Sequence, residues 1–385
     1  MLVSTILTGI KFRFTLFSGL LSIAAIHSLS SAILSNYNSI ALTHWVEFLK
    51  IIVISYLITM LIRSEKDLKM ALIVISLSMG LEGAKQGWIR LITSPGSINE
   101  NSHEMLGDNN GVAVGMLMVV PILLALYQTI ERKIIKYGFL FLVIGVIYRA
   151  LSTYSRGGFL TFLTMCIIFW LRSEHKTRTL ITIVLIAVLL LPTLPQSFWD
   201  RMDTMTNTDG EERESSAASR IYYWELAFEM AKNNPLFGVG HNVYQQEYDA
   251  YDYTGGRWGN RRVVHSAWFG ILSEWGFPGI ILFMGIYIYS LYLCIQASRK
   301  CKKKPEYKSL RIYSNSILTT LIAASVGISF LSFQYLEMLW HFFALAVVSN
   351  QVLNTQIANE DNTANGINGN AYEFVHLYDN GIAKG

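Results

Sequence analysis

Ten runs of apolar residues, each near the length needed to cross a bilayer, fall at about 15–34, 44–62, 70–92, 111–130, 137–153, 157–171, 179–195, 266–297, 313–333 and 335–353. A helix rises about 1.5 Å per residue, so roughly 20 apolar residues cover a hydrocarbon core about 30 Å thick. Inside that core no water satisfies the backbone, which leaves the helix as the spanning element for such runs. The pattern predicts an all-α polytopic membrane protein of about ten transmembrane helices. Composition agrees: 52% of the 385 residues are hydrophobic, 15% are charged and mean hydropathy is +0.36, whereas a soluble domain carries roughly 25% charge. The first apolar run, after Lys11 and Arg13, has no small-residue cleavage site behind it, so no removable signal peptide is expected. Three cysteines, Cys166, Cys294 and Cys301, lie outside the long polar stretch and offer neither a disulfide framework nor a cysteine zinc site.

Lys and Arg in the short connectors set the expected orientation. One set carries Lys11 and Arg13, Arg63, Lys66 and Lys69, Arg132, Lys133 and Lys136, Arg172, Lys176 and Arg178, and the cluster from Arg299 to Arg311. The alternate connectors, 35–43, 93–110, 153–156 and 334, hold only Arg156. Both termini are therefore expected in the cytoplasm. The single long polar insert is expected on the outer face, periplasmic in a Gram-negative cell. The domains read as 1–195 (about seven helices), the insert 196–265, 266–353 (about three helices) and an Asn-rich tail, 354–385, expected to be disordered. The basic residues serve orientation, and no nucleic-acid partner is expected.

Within the insert, 197–218 is polar without apolar period and reads as a mobile loop. Residues 219–231 read as an amphipathic helix with Tyr223, Ala227, Met230 and Ala231 inward, ended by Asn233-Asn234-Pro235. Gly238-Val239-Gly240 follows. It lacks the strand and third glycine of a nucleotide loop and is better read as a turn.

Five cations and one histidine then stand out. Arg156, in Ser155-Arg156-Gly157-Gly158, breaks an outer rim whose short connectors are otherwise free of Lys and Arg, and a tight turn does not require arginine. Arg220 is placed at the start of the amphipathic helix, where the dipole disfavours a cation unless an anion is to be bound; a surface ion pair is the plainer reading. Lys85 lies well inside the third span, where a cation costs at least about 2.5 kcal/mol, so it either snorkels or faces a polar cavity. Arg261 and Arg262 stand one turn before His265, at the mouth of the eighth span, with Ser266, Trp268 and Glu274 after it. Tyr244, Tyr248, Tyr251, Tyr253 and Trp258 suit either sugar stacking or a membrane interface. No D-x-D occurs in the insert, and His241 and His265 lack a carboxylate or cysteine at ligand spacing, so no metal or other cofactor is expected.

Taken in order, Trp45-Val46-Glu47-Phe48-Leu49-Lys50, Gly107-Asp108-Asn109-Asn110-Gly111, Tyr154-Ser155-Arg156-Gly157-Gly158-Phe159, Ser219-Arg220 through Trp224, Asn234-Pro235-Leu236-Phe237-Gly238-Val239-Gly240, and His265-Ser266 leading to Gly276-Phe277-Pro278-Gly279 resemble the O-antigen ligase superfamily, and within it the exosortase-associated O-glycosylation ligases. The resemblance covers roughly 40–350. It implies a GT-C-like inner-membrane glycosyltransferase that moves a glycan, without metal and with inversion, from an undecaprenyl-diphosphate carrier to a hydroxyl of a lipid, saccharide or protein acceptor. By the same resemblance, Arg156 and Arg220 bind the diphosphate and His265 serves the acceptor; Lys85, Arg261 and Arg262 are, by their position, the further cations expected to assist. Family members usually carry further apolar segments at the N-terminus, a departure that bears on lipid-tail docking more than on chemistry.

The residue chemistry is compatible with that role. A sugar leaving a diphosphate builds charge on phosphate oxygens, which guanidinium forks match in a bidentate way. A hydroxyl nucleophile benefits from a base that titrates near neutrality. Two other readings stay open: a polymerase of the same superfamily, and a secondary transporter, which should show internal repeats and paired broken helices.

Overall fold

The structure is a computed structural model that describes residues 14–98, 102–190, 196–203, 211–302 and 304–364. Thirteen α-helices are found among these residues: α1 (Leu16–Leu34), α2 (Asn38–Leu61), α3 (Glu65–Thr93), α4 (Asn109–Thr129), α5 (Lys133–Leu151), α6 (Arg156–Arg172), α7 (Lys176–Leu190), α8 (Gln196–Asp203), α9 (Glu211–Asn233), α10 (Tyr244–Tyr251), α11 (Ala267–Cys301), α12 (Lys308–Gly327) and α13 (Glu337–Ala364). No strand occurs among the described residues. Each of the ten apolar runs overlaps a helix among the described residues. Six helical stretches are long and apolar enough to cross a membrane by length and composition: α1, α2, α4, α5, α11 and Pro305–Phe330, which contains α12. The chain is an all-α polytopic membrane protein.

Helix α4 is the axis of the bundle. Every residue from Gly111 to Ala125 except Leu124 is buried, as expected for a helix apolar on all sides. Helices α3 and α5 cross closely because small residues meet: a Cβ on Gly87 would lie 1.8 Å from the Gly145 carbonyl oxygen, and one on Gly145 would lie 2.8 Å from Ala84 Cα. Without a hydrophobic driving force between helices in lipid, such close backbone approach is what holds them.

Four expectations change. Helix α9 starts at Glu211, so the polar stretch before residue 219 is helical rather than loop; 204–210 lie outside the described residues. Helix α13 runs to Ala364, past the expected end at 353, because its polar end is pinned: Lys300 Nζ donates to Asn354 Oδ1 at 2.7 Å and Lys304 pairs with Glu360 at 2.9 Å. The remaining tail, 365–385, lies outside the described residues.

Third, Lys85 is not enclosed within the bundle. It is exposed on α3, 3.9 Å from Glu82 one turn earlier. The buried cation nearby is Arg149 in the last turn of α5, 3% exposed.

Fourth, the run 266–297 is not one straight span. Gly276 has φ 69° and ψ −170°, which breaks α11 into arms 267–275 and 277–301. The Trp268 ring lies 5.6 Å from that of Phe283 and 5.4 Å from that of Tyr287. In a straight helix residues 268 and 283 would stand roughly 22 Å apart, so the short arm folds back against the long one.

Candidate active site

Two helix N-termini converge where the candidate residues gather. Asp108 caps α4 by accepting from the Gly111 N–H at 2.9 Å, and Ser155 caps α6 by accepting from the Gly158 N–H at 3.1 Å. Asn110 joins the caps, its Oδ1 accepting from Ser155 Oγ at 2.8 Å and its Nδ2 donating to Asp108 Oδ2 at 3.3 Å. Gly158 permits this proximity, since a Cβ there would lie 2.5 Å from the Ala113 Cβ. Each N-terminus carries roughly half a positive charge and free N–H groups.

The turn into α6 is fixed by Tyr154, whose φ of 56° is rare outside glycine. Its hydroxyl donates to the Gly96 carbonyl, and its ring is buried. Arg156 is thereby delivered as the first residue of α6, half-buried at the rim.

Arg220 reaches the same rim from α9. It lies well inside that helix, not at its start, so the dipole argument made from the sequence does not apply. Its guanidinium sits 5.9 Å above the Phe330 ring, a cation–π contact that lets a cation be half-buried. Burial lowers its pKa, repulsion from Arg156 lowers it further, and Asp108 opposes both. Two cations that repel each other while partly desolvated are poised for an anion.

His265 completes the group. It takes φ 51° just before the short arm of α11, and its ring tilts against Tyr223 with centroids 6.2 Å apart. Burial first, then Arg220, pull its pKa below the ordinary 6.5; Asp108 opposes them and Arg262 adds to them. A half-buried imidazole of this kind is neutral near pH 7 and able to accept a proton.

The short arm is held in place by carbonyls freed at the Gly276 break. Val239 N–H donates to Ser273 O at 2.9 Å, Ser31 Oγ to Glu274 O at 2.6 Å and His27 Nε2 to Trp275 O at 2.8 Å. Gly238 fits because of its φ of 65° and because a Cβ would lie 2.4 Å from Ser273 O. The turn reading of Gly238-Val239-Gly240 thus gains a purpose. The Glu274 carboxylate is buried and takes donors from Tyr335 Oη at 2.8 Å, Gln334 Nε2 at 3.2 Å and the Tyr244 N–H at 3.2 Å. It serves this scaffold.

Arg156, Arg220 and His265 are thus coupled at one rim, with Arg262 adding charge at its edge. Arg261 turns outward, its N–H held by Asp249 Oδ1 at 2.8 Å and its carbonyl by Gln245 Nε2 at 2.8 Å. Tyr244 and Tyr248 are buried scaffold, and Tyr253 is exposed. Sequence reasoning gave no role to Asp108, Asn110 or Phe330. Of these, only Gly107-Asp108-Asn109-Asn110 carried a signal, as a cap-forming sequence before an apolar run.

A comparison with curated proteins returns no match. Residues 137–284 match the protein-family model described as O-antigen ligase, and Arg156, Arg220 and His265 all lie inside that stretch. That stretch, less than half of the chain, is therefore similar to the O-antigen ligases.

Proposed function

We propose that this protein transfers a glycan from undecaprenyl diphosphate to an acceptor hydroxyl, with inversion and with arginines in place of a metal, on the periplasmic face of the inner membrane. The observation that carries the reading is the convergence of Arg156, Arg220 and His265 at the paired N-termini of α4 and α6. In the reaction, His265 takes the proton of the acceptor hydroxyl as its oxygen attacks the anomeric carbon. The bond from that carbon to the diphosphate oxygen breaks with its electron pair, and the carrier leaves as an anion. Arg156 and Arg220 hold the growing charge by bidentate hydrogen bonds, helped by the two helix dipoles. Preorganised donors of this kind act without reorganising as charge develops.

The test is transfer in proteoliposomes, with lipid-linked oligosaccharide as donor and products read by mass spectrometry. Arg156→Lys and Arg220→Lys are each expected to lower kcat about 10²–10³-fold, by analogy with loss of one oxyanion donor. His265→Gln is expected to cost about 10²–10⁴-fold. Full activity in Arg156→Lys would remove bidentate phosphate binding there, and an unchanged pH–rate profile in His265→Gln would remove the base. Repeat units added to the carrier itself, instead of one transfer to a separate acceptor, would make the protein a polymerase.

A further inference from the structure

Helix α9 has a second apolar stripe that the described residues cover only in part, at Trp224. Its inner side, Tyr222, Tyr223, Leu226, Ala227, Met230 and Ala231, is buried. At about 100° per residue, Trp224, Phe228 and Ile221 fall within roughly 60° of arc on the opposite side. Ile221 is 53% and Phe228 44% exposed, and Trp224 stacks on Phe269 with ring centroids 5.3 Å apart. Lys232, Glu225 and Glu229 occupy the next sector, with Lys232 paired to Glu229 at 2.9 Å.

The stripe does not end with the helix. The Phe228 ring lies 6.2 Å from that of Phe277, and Phe277 begins a line of exposed residues down the long arm of α11: Ile281, Met284, Ile288 and Tyr292. That line is the outward face of a helix long and apolar enough to cross a membrane, so lipid covers it. An apolar stripe continuous with a lipid-facing line, flanked along its length by charges, is the pattern of a helix lying in the membrane interface.

We infer that α9 lies on the membrane surface, with Ile221, Trp224 and Phe228 in the boundary between acyl chains and head groups and Glu225, Glu229 and Lys232 toward water. Arg220, beside Ile221, is thereby held at the depth of lipid phosphates. The inference concerns the membrane alone and does not depend on glycan transfer.

The test uses the full chain in liposomes, with Cys166, Cys294 and Cys301 replaced and a polarity-sensitive fluorophore on Phe228→Cys, Ile221→Cys or Glu229→Cys. Labels at 228 and 221 are expected to emit at shorter wavelength than the label at 229. They should also be quenched several-fold more strongly by lipids with a nitroxide near the head group, and several-fold less by aqueous iodide. Equal iodide quenching at all three positions would overturn the inference. So would disulfides between copies of the unlabelled Phe228→Cys variant, which would assign the stripe to a second copy. Shielding that appears only after a polyprenyl diphosphate is added would make the stripe a groove for that tail and overturn it as well. None of these readouts needs activity, so failure here leaves the transfer reaction untouched.

Discussion

Asp108 uses one carboxylate for two purposes: Oδ1 caps α4 through the Gly111 N–H, and its charge offsets those gathered around Arg220 and His265. Asparagine is as good a cap, so Asp108→Asn separates the two. Without the negative charge His265 drops further below 6.5, and the acid limb of the pH–rate profile should move to lower pH. The rate at pH 7 should fall less than about tenfold, since one charge across high-dielectric surroundings is worth about 1 kcal/mol. An acid limb that stays in place would remove Asp108 from the electrostatics of the site. His241 shows what full burial does to the same side chain. Packed by Phe48, Trp275 and Tyr335, with Trp275 Nε1 donating to its Nδ1 at 3.1 Å, it is pushed down to about 3. A histidine depressed in the folded state charges on unfolding, so stability is lost as pH falls from about 6.5 toward 3, by up to about 1.4 kcal/mol per unit. His241→Gln should flatten the fall in melting temperature between pH 6.5 and 4.5. Arg156 stood out in the sequence as a lone cation in connectors otherwise free of Lys and Arg, whereas Arg220 and His265 were singled out by the motifs around them, the helix-start argument for Arg220 having failed. The Asp108–Asn110–Ser155 link and the Phe330 ring under Arg220 were not legible, because they join residues far apart in the chain.

Hydropathy marks where a helix is apolar and is blind to which way it points. The run 266–297 therefore read as one span, although its first third folds back. Gly276-Phe277-Pro278-Gly279 was visible as a motif, but the break follows from backbone geometry, with φ 69° and ψ −170° at Gly276. That region belongs almost solely to glycine, and another residue there costs on the order of 1–3 kcal/mol. A Cβ would also lie 2.5 Å from the Pro235 carbonyl oxygen, which accepts the Phe277 N–H at 2.9 Å. Gly276→Ala should therefore lower the melting temperature and move His265 out of register, reducing transfer even in the folded fraction. Gly285→Ala is the control: it lies in the same helix with no atom within 4 Å of an added Cβ, so it should leave both unchanged. Helix α9 was misjudged for a related reason. Its first turns, from Glu211, have no apolar period, so only the part with a buried face was legible.

Across the whole molecule, charge sorts the two ends of the bundle. Helix α6 begins at Arg156 and ends at Arg172, roughly 24 Å away along its axis. At its far end Arg172 Nη2 donates to Ser298 Oγ at 3.1 Å and to Asn315, and Glu174 pairs with Arg311 at 2.7 Å, amid the basic turn after α11. At its near end stand Phe330, Ser329 and Trp268, the last donating to Ser329 Oγ at 3.0 Å, and the three candidate residues. Site and basic cluster therefore occupy opposite ends, a separation the alternating connectors foretold because lysine and arginine resist translocation. The same rule predicts which end is which. In a chain with its native cysteines replaced, Gly255→Cys, on the loop after α10 where an added Cβ meets nothing within 4 Å, should react with an impermeant maleimide applied from the periplasmic side. Lys302→Cys, beside the basic turn, should react only after the inner membrane is opened. The reverse pattern would put the site in the cytoplasm, on the wrong side for an acceptor outside the inner membrane, and ligation there would have to be abandoned even if every arginine variant were inactive.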